Sequence, residues 1–189
     1  MASDMASIGI YILCGGASSR MGCCKTQVQY HGRALLTYIL ETAQSLEHSV
    51  HLVCKPHQKD ALQIHDLPLI LDASDQTHPL EGVLSAFNHA DGLFQSILVL
   101  PCDTPRLSRD SILNLRRQTP SVIEDDTHRI HPLMLHLPLN WMDRCLTYLH
   151  SQGSMRDFAA LAHRVTVPVH ETININYPNE LEQPNEVLS

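Results

Sequence analysis

The chain has 189 residues, 43% of them hydrophobic, and a formal net charge of −7, which suits one compact domain with a sizeable core. Its apolar runs, such as residues 97–100, are far shorter than a membrane span, and its first residues carry neither the basic start nor the apolar stretch of an export signal, so a cytoplasmic protein without membrane contact is expected. The negative balance, with Arg116-Arg117 the one adjacent basic pair, argues against a general nucleic-acid binder, because backbone affinity comes from clustered Lys and Arg.

Taken in chain order, residues 8–13 read as a first strand, followed by a Gly-rich loop. Leu35, Leu36, Ile39, Leu40, Ala43 and Leu46 then recur at spacings of three and four, one buried face of a helix. Residues 50–54 return as a strand, a short helix spans 56–64, and the apolar run 67–71 ends at Asp72. A helix over 80–90 is entered after Pro79, and residues 96–100 form a central strand closed by Pro101 and Asp103. Ser108 offers an N-cap for a helix through Arg117, ended by Thr119-Pro120. Strands are expected at 121–123 and 130–137, helices at 141–150 and 155–163, a strand near 165–169, and a polar tail from about 182 to 189. The alternation is that of βαβ units around a mostly parallel sheet, an α/β fold in one domain spanning 1–189.

Six cysteines are present, but a chain of this size without an export signal needs no disulfides, and reduced thiols are expected. The thirteen histidines are scattered. The His-x-x-His pairs 48/51 and 128/131 are read as solvated or structural rather than as a zinc site.

Two signals carry chemistry. The first is the loop Leu13-Cys14-Gly15-Gly16-Ala17-Ser18-Ser19-Arg20-Met21-Gly22-Cys23-Cys24-Lys25. Its glycines permit close backbone approach and positive φ, successive N–H groups can form an anion-binding concavity, and Arg20 and Lys25 add charge. The spacing is neither that of a Walker A loop nor that of a dinucleotide fingerprint. The second is Pro101-Cys102-Asp103-Thr104-Pro105, which puts a carboxylate at the C-terminal end of a buried strand, where ligands bind in open α/β sheets. Asp103 there suits Mg²⁺, and Asp72 ends another strand in the same manner. Together they describe phosphoryl or nucleotidyl transfer, in which a protein positions and neutralises.

At these residues the chain resembles the molybdenum cofactor guanylyltransferases, usually called MobA, among the small Rossmann-like nucleotidyltransferases. The resemblance runs over nearly the whole chain. It rests on the loop ending at Lys25, on His78-Pro79-Leu80-Glu81-Gly82, on Pro101-Cys102-Asp103-Thr104-Pro105, on His131-Pro132, and on Asn174-Ile175-Asn176-Tyr177-Pro178-Asn179-Glu180-Leu181. It implies a three-layer αβα fold and transfer of GMP from GTP to molybdenum-molybdopterin with release of pyrophosphate. It also implies transient contacts with other proteins of molybdenum cofactor biosynthesis.

Carried over by position, the resemblance gives Leu13, Cys14, Gly15, Gly16 and Lys25 to GTP, with Cys54 and Asp72 beside the nucleotide. Asp103 goes to Mg²⁺ and the nucleotide, Asn174 and Asn176 to the pterin side, and Lys25, Asp103 and Arg20 to catalysis. The His131-Pro132 strand falls on the pterin side too. The chain departs from the pattern at Cys14, Cys24, His78 and Cys54, the last near a nucleotide-contacting Asn whose two-way hydrogen bonding a thiol lacks. Base choice therefore stays open between guanine and cytosine, and a catalytically inactive nucleotide- or molybdopterin-binding scaffold stands as the alternative from another class.

Overall fold

The computed structural model describes residues 7–15, 28–62, 66–72 and 78–175. The strands are β1 (Ile8–Leu13), β2 (Gln29–Tyr30), β3 (Arg33–Ala34), β4 (Ser49–Cys54), β5 (Leu69–Leu71), β6 (Ser96–Pro101), β7 (Ser121–Asp125), β8 (Ile130–Pro138) and β9 (His163–Val167). The helices are α1 (Leu35–Gln44), α2 (Lys59–Leu62), α3 (Pro79–Ala90), α4 (Arg109–Leu115), α5 (Met142–His150) and α6 (Met155–Ala159). Seven strands form one sheet in the order β5-β4-β1-β6-β8-β7-β9. Its neighbours are parallel except where β8 meets β6 and β7.

Period-2 alternation along the central strands makes the three layers. Ile8, Ile10 and Ile12 of β1, with Leu98 and Leu100 of β6, face the apolar sides of α1, α2 and α4. Tyr11 and Leu13, with Ile97 and Val99, face α3, α5 and α6. Because both faces are covered, β1 and β6 are buried at every position, which is why they read as continuous apolar runs rather than alternating ones.

Most element types match expectation, and the differences have local causes. The helix expected to reach His163 stops at Ala159, because His163–Val167 pairs in parallel with β7, starting at Ser121↔His163. Tertiary pairing there outweighs helical periodicity, helped by the β-branched residues Val165, Thr166 and Val167. The strand expected near 165–169 accordingly lies two residues earlier. Helix α4 ends at Leu115 with Arg116 as its C-cap, and Ser108 caps its start by accepting from the Ser111 N–H at 3.1 Å. A small hairpin of β2 and β3, absent from the expected elements, turns on His31 and Gly32, both at positive φ. Among the described residues no helix is long and apolar enough to cross a membrane.

Close packing at β1 gives a direct test. A Cβ on Gly9 would lie 2.7 Å from the Phe94 ring and 2.8 Å from the Tyr11 ring. Gly9→Ala should therefore cost about 1–3 kcal/mol by overpacking, seen as a lower urea midpoint; an unchanged midpoint would mean that Phe94 swings aside freely.

Acid should weaken the fold through buried histidines. Burial lowers His51 below the usual histidine value of 6.5, with His89 adding to it and a backbone bond at Ile10 opposing. Burial also lowers His136, against a bond to the Gln118 backbone carbonyl and with Arg116 and His48 reinforcing. An unfolded chain takes up protons on these rings that the native protein refuses, so their contribution is complete above pH 6.5 and declines as pH falls below it. The expected slope approaches about 1.4 kcal/mol per pH unit for each such ring. Unfolding midpoints measured from pH 7.5 down to pH 5 test this, and a flat profile would contradict it.

Candidate functional site

The chain runs from β1 through β4 to β5 on one side and returns to place β6 on the other side of β1. The order thus reverses between β1 and β6, and the crevice outside their C-terminal ends is where an open α/β sheet receives a ligand. Leu13 pairs with Pro101 across it, and the Cys102 N–H donates to the Leu13 carbonyl at 3.3 Å.

At the β1 end the side chains of Leu13 and Cys14 are buried in opposite core layers, so only their backbone lies at the edge. The Cys14 N–H donates to the Val53 carbonyl at 2.8 Å, and its carbonyl accepts from Gln58 Nε2 at 3.2 Å. Both backbone groups thus hold the loop's root in place, and Gly15 is exposed. Gly15 has no positive φ, and a Cβ there would meet only Lys55 Cγ, at 3.9 Å. What glycine provides at this position is open approach to the backbone, not a left-handed turn. Gly16, Arg20 and Lys25 lie outside the described residues, as does Asn176.

Beside this root, β4 and β5 end together, with the Asp72 N–H donating to the Cys54 carbonyl at 2.8 Å. The Cys54 thiol is fully buried and belongs to the core layer that includes α1. The next residue adds a charged side chain at this strand end. Lys55 Nζ lies 2.8 Å from Asp72 Oδ2, with the two side chains only 14% and 8% exposed. Residue-type patterns miss Lys55, although the strand-end logic that picks out Asp72 and Asp103 would have found it.

At the β6 end Asp103 is buried in the turn that leaves the strand. Its carbonyl accepts from the Ile175 N–H at 2.9 Å, which brings the exposed Asn174 to the same edge. Ile175 is seated among Tyr30, Leu35 and Tyr38. Arg106, a further cation missed in the sequence, donates through Nε to the Tyr30 hydroxyl at 3.0 Å. The segment that carries Asn174 is also held by Glu171, which accepts from the Ser108 N–H at 2.9 Å. Burial pushes the Glu171 carboxyl up, but bonds from Ser111 and Ser108, with His170 nearby, bring it below the ordinary value.

His78, which stands where the related pattern has Gly, needs no special backbone. Its φ is −75°, and its Nδ1 accepts from the Leu80 N–H at 3.3 Å as the N-cap of α3. Neither His-x-x-His pair sits on a helix, and no group of three or more His, Cys, Asp or Glu able to hold a metal occurs among the described residues.

A three-layer αβα sheet whose switch point gathers a Gly-rich strand end and strand-terminal carboxylates defines the nucleotidyltransferase class. The model of the MobA-like NTP transferase domain matches residues 10–167, and the chain belongs to that family. It is 27% identical to a protein of Sinorhizobium fredii named molybdenum cofactor guanylyltransferase, over 99% of this chain and 94% of that one. In fold it is similar to molybdopterin-guanine dinucleotide biosynthesis protein A from Archaeoglobus fulgidus, with a TM-score of 0.72 at 20% identity, covering 92% of this chain and 94% of the other. It is equally similar in fold to 4-diphosphocytidyl-2C-methyl-D-erythritol synthase from Anaerococcus prevotii, with a TM-score of 0.72 at 12% identity, covering 93% and 95%.

Proposed function

We propose that this nucleotidyltransferase moves GMP from GTP to molybdenum-molybdopterin, forming the guanine dinucleotide cofactor and pyrophosphate, with the whole chain acting as one unit. The observation that carries the reading is the position of Asp103. Its turn is tied on one side to the phosphate-loop root through Cys102 and Leu13, and on the other to the Asn174 segment through Ile175. A nucleotide on the loop side and an acceptor on the Asn174 side would meet over this carboxylate. The name of the Sinorhizobium fredii relative supports guanine and molybdopterin as the two substrates.

In this reading the N–H groups from Gly15 onward, including Gly16, take phosphate oxygens, while Lys25 and Arg20 neutralise charge that builds as the α-phosphorus is attacked. A phosphate oxygen of the acceptor forms the new bond, and the bond to pyrophosphate breaks. Asn174 and Asn176 hold the acceptor. Asp103, a hard oxygen donor at the strand end, fits Mg²⁺, which takes one or two protein carboxylates and fills its shell with phosphates and water. Mg²⁺ held there would neutralise triphosphate charge. With the Cys54 thiol in the core, Lys55 and Asp72 are the polar side chains offered to the nucleotide at this strand edge.

The test is to incubate the purified protein with Mg²⁺, molybdopterin and each nucleoside triphosphate in turn, measuring pyrophosphate and dinucleotide. Product from GTP alone is expected. Product from CTP and not GTP would make the protein a cytidylyltransferase, and none from any nucleotide would leave a binding scaffold.

A further inference from the structure

Across β6 from the end of β1, the β7–β8 hairpin pairs the His131 imidazole, on the strand that the resemblance gives to the pterin side, with a carboxylate that no role above uses. Asp125 is 1% exposed, and its Oδ1 accepts from the Thr127 N–H at 2.9 Å, the Thr127 hydroxyl at 2.5 Å and the Arg129 N–H at 3.1 Å. Those three bonds close the turn. Its other oxygen, Oδ2, lies 2.8 Å from His131 Nε2 across the hairpin. Burial opposes ionisation of Asp125, yet the bonds from Thr127, His131 and Arg129 outweigh it and hold the carboxyl well below the usual range. An ionised carboxylate only accepts, so Nε2 carries a proton and donates.

The remaining ring nitrogen, Nδ1, has no hydrogen bond to any described residue and is not among the buried polar atoms sealed from solvent. A local irregularity sets the ring here. Pairing of β7 with β8 steps from Val122↔Leu135 to Ile123↔His131, so Pro132, Leu133 and Met134 are looped past β7. Bulges of this kind re-aim side chains beside sites.

Topology fixes which edge the pair occupies. Strand β8 runs antiparallel to β6 and to β7, so its first residues lie at the edge where β6 ends towards Asp103 and β7 ends at Asp125. Residues 168–175, leaving β9, return along this edge. Val169 N–H donates to Asp126 Oδ1 at 3.2 Å, and Ile175 N–H donates to the Asp103 carbonyl at 2.9 Å. The pair therefore stands between the strand that delivers Asp103 and the outer strand from which the Asn174 segment departs.

We propose that His131 Nδ1 donates a hydrogen bond to a phosphate oxygen of the acceptor, and that Asp125 is the positioning residue that orients the ring; this rests on the nucleotidyl-transfer reading. With Nε2–H given to Asp125, the ring serves an anion as imidazolium, and the buried carboxylate balances its charge. His131 binds on the acceptor side, since β6 stands between its strand and the end of β1, where the nucleotide loop is rooted.

Two substitutions separate this from a mere brace for the hairpin. Gln at 131 can keep a donor near the Nε2 position and so keep the bond to Asp125, while lacking one at Nδ1; Asn does the reverse. His131→Gln should raise the KM for molybdopterin at least about tenfold while the KM for GTP and the thermal midpoint hold. His131→Asn should keep more of the acceptor affinity despite losing the Asp125 bond. A brace predicts the opposite order, and a wild-type molybdopterin KM in His131→Gln would overturn the proposal. Molybdopterin binding measured without nucleotide, by quenching of Trp141 fluorescence or by calorimetry, separates the two readings. If wild type makes no dinucleotide but binds molybdopterin more tightly than His131→Gln, the guanylyltransferase reading fails and the dyad proposal stands; equal binding by both proteins sinks the dyad proposal.

Discussion

Asp103→Ala is expected to cut turnover by at least about 10²–10³-fold, the scale seen when one preorganised charge-stabilising group is removed from a transfer site, while the protein stays folded. The fold should survive because two backbone bonds anchor this turn. The Asp103 carbonyl accepts from Ile175, and the preceding residue, Cys102, donates to Leu13, both without the carboxylate. Asp103→Asn, which keeps the shape and removes the charge, controls for local collapse. If both variants unfold at the wild-type temperature and both lose turnover, the carboxylate is chemical. Wild-type rates in Asp103→Ala would remove it from the mechanism and would take the proposed Mg²⁺ position with it.

That a carboxylate stands two places beyond β6 at the switch-point edge was readable in the chain because two signals coincided, an uninterrupted apolar run and a Pro-flanked Asp just beyond it. The same logic marks Asp72. The layer structure was legible for a related reason, since strands covered on both faces lose their alternation and helices keep theirs. Lys55 escaped notice because a lysine after a strand ordinarily reads as a solvated residue. Only the parallel pairing of β4 with β5, Cys54↔Leu71, brings Asp72 alongside. Asp125 and His131 escaped as a pair because their meeting depends on a register shift in the hairpin, which no periodicity encodes. Cys54 shows what strand parity adds, since it places the thiol in the core layer with α1. Asp103 and Asn174 meet at one edge through the Ile175 bond, whereas Gly16, Arg20, Lys25 and Asn176 remain sequence-level assignments.

Breaking the Lys55–Asp72 pair should have the largest effect on stability. The two charges sit 2.8 Å apart and are almost wholly withdrawn from water, so each was desolvated at a cost that their mutual attraction offsets. Lys55→Met preserves the stem beside Gly15 but removes the ammonium that lies 2.8 Å from the buried Asp72 carboxylate. The expected loss is about 3 kcal/mol, which for a chain of this size is a fall of roughly 6–12 °C in the thermal midpoint. The double variant Lys55→Met/Asp72→Leu should unfold at a higher temperature than Lys55→Met alone, because it removes the buried carboxylate together with the ammonium beside it. Additive losses in that cycle would show that the two side chains do not act as a pair. GTP binding provides the complementary reading. If the pair faces the nucleotide, the double variant should regain stability without regaining GTP affinity, so that the pair's stabilising role and its binding role part in one set of proteins.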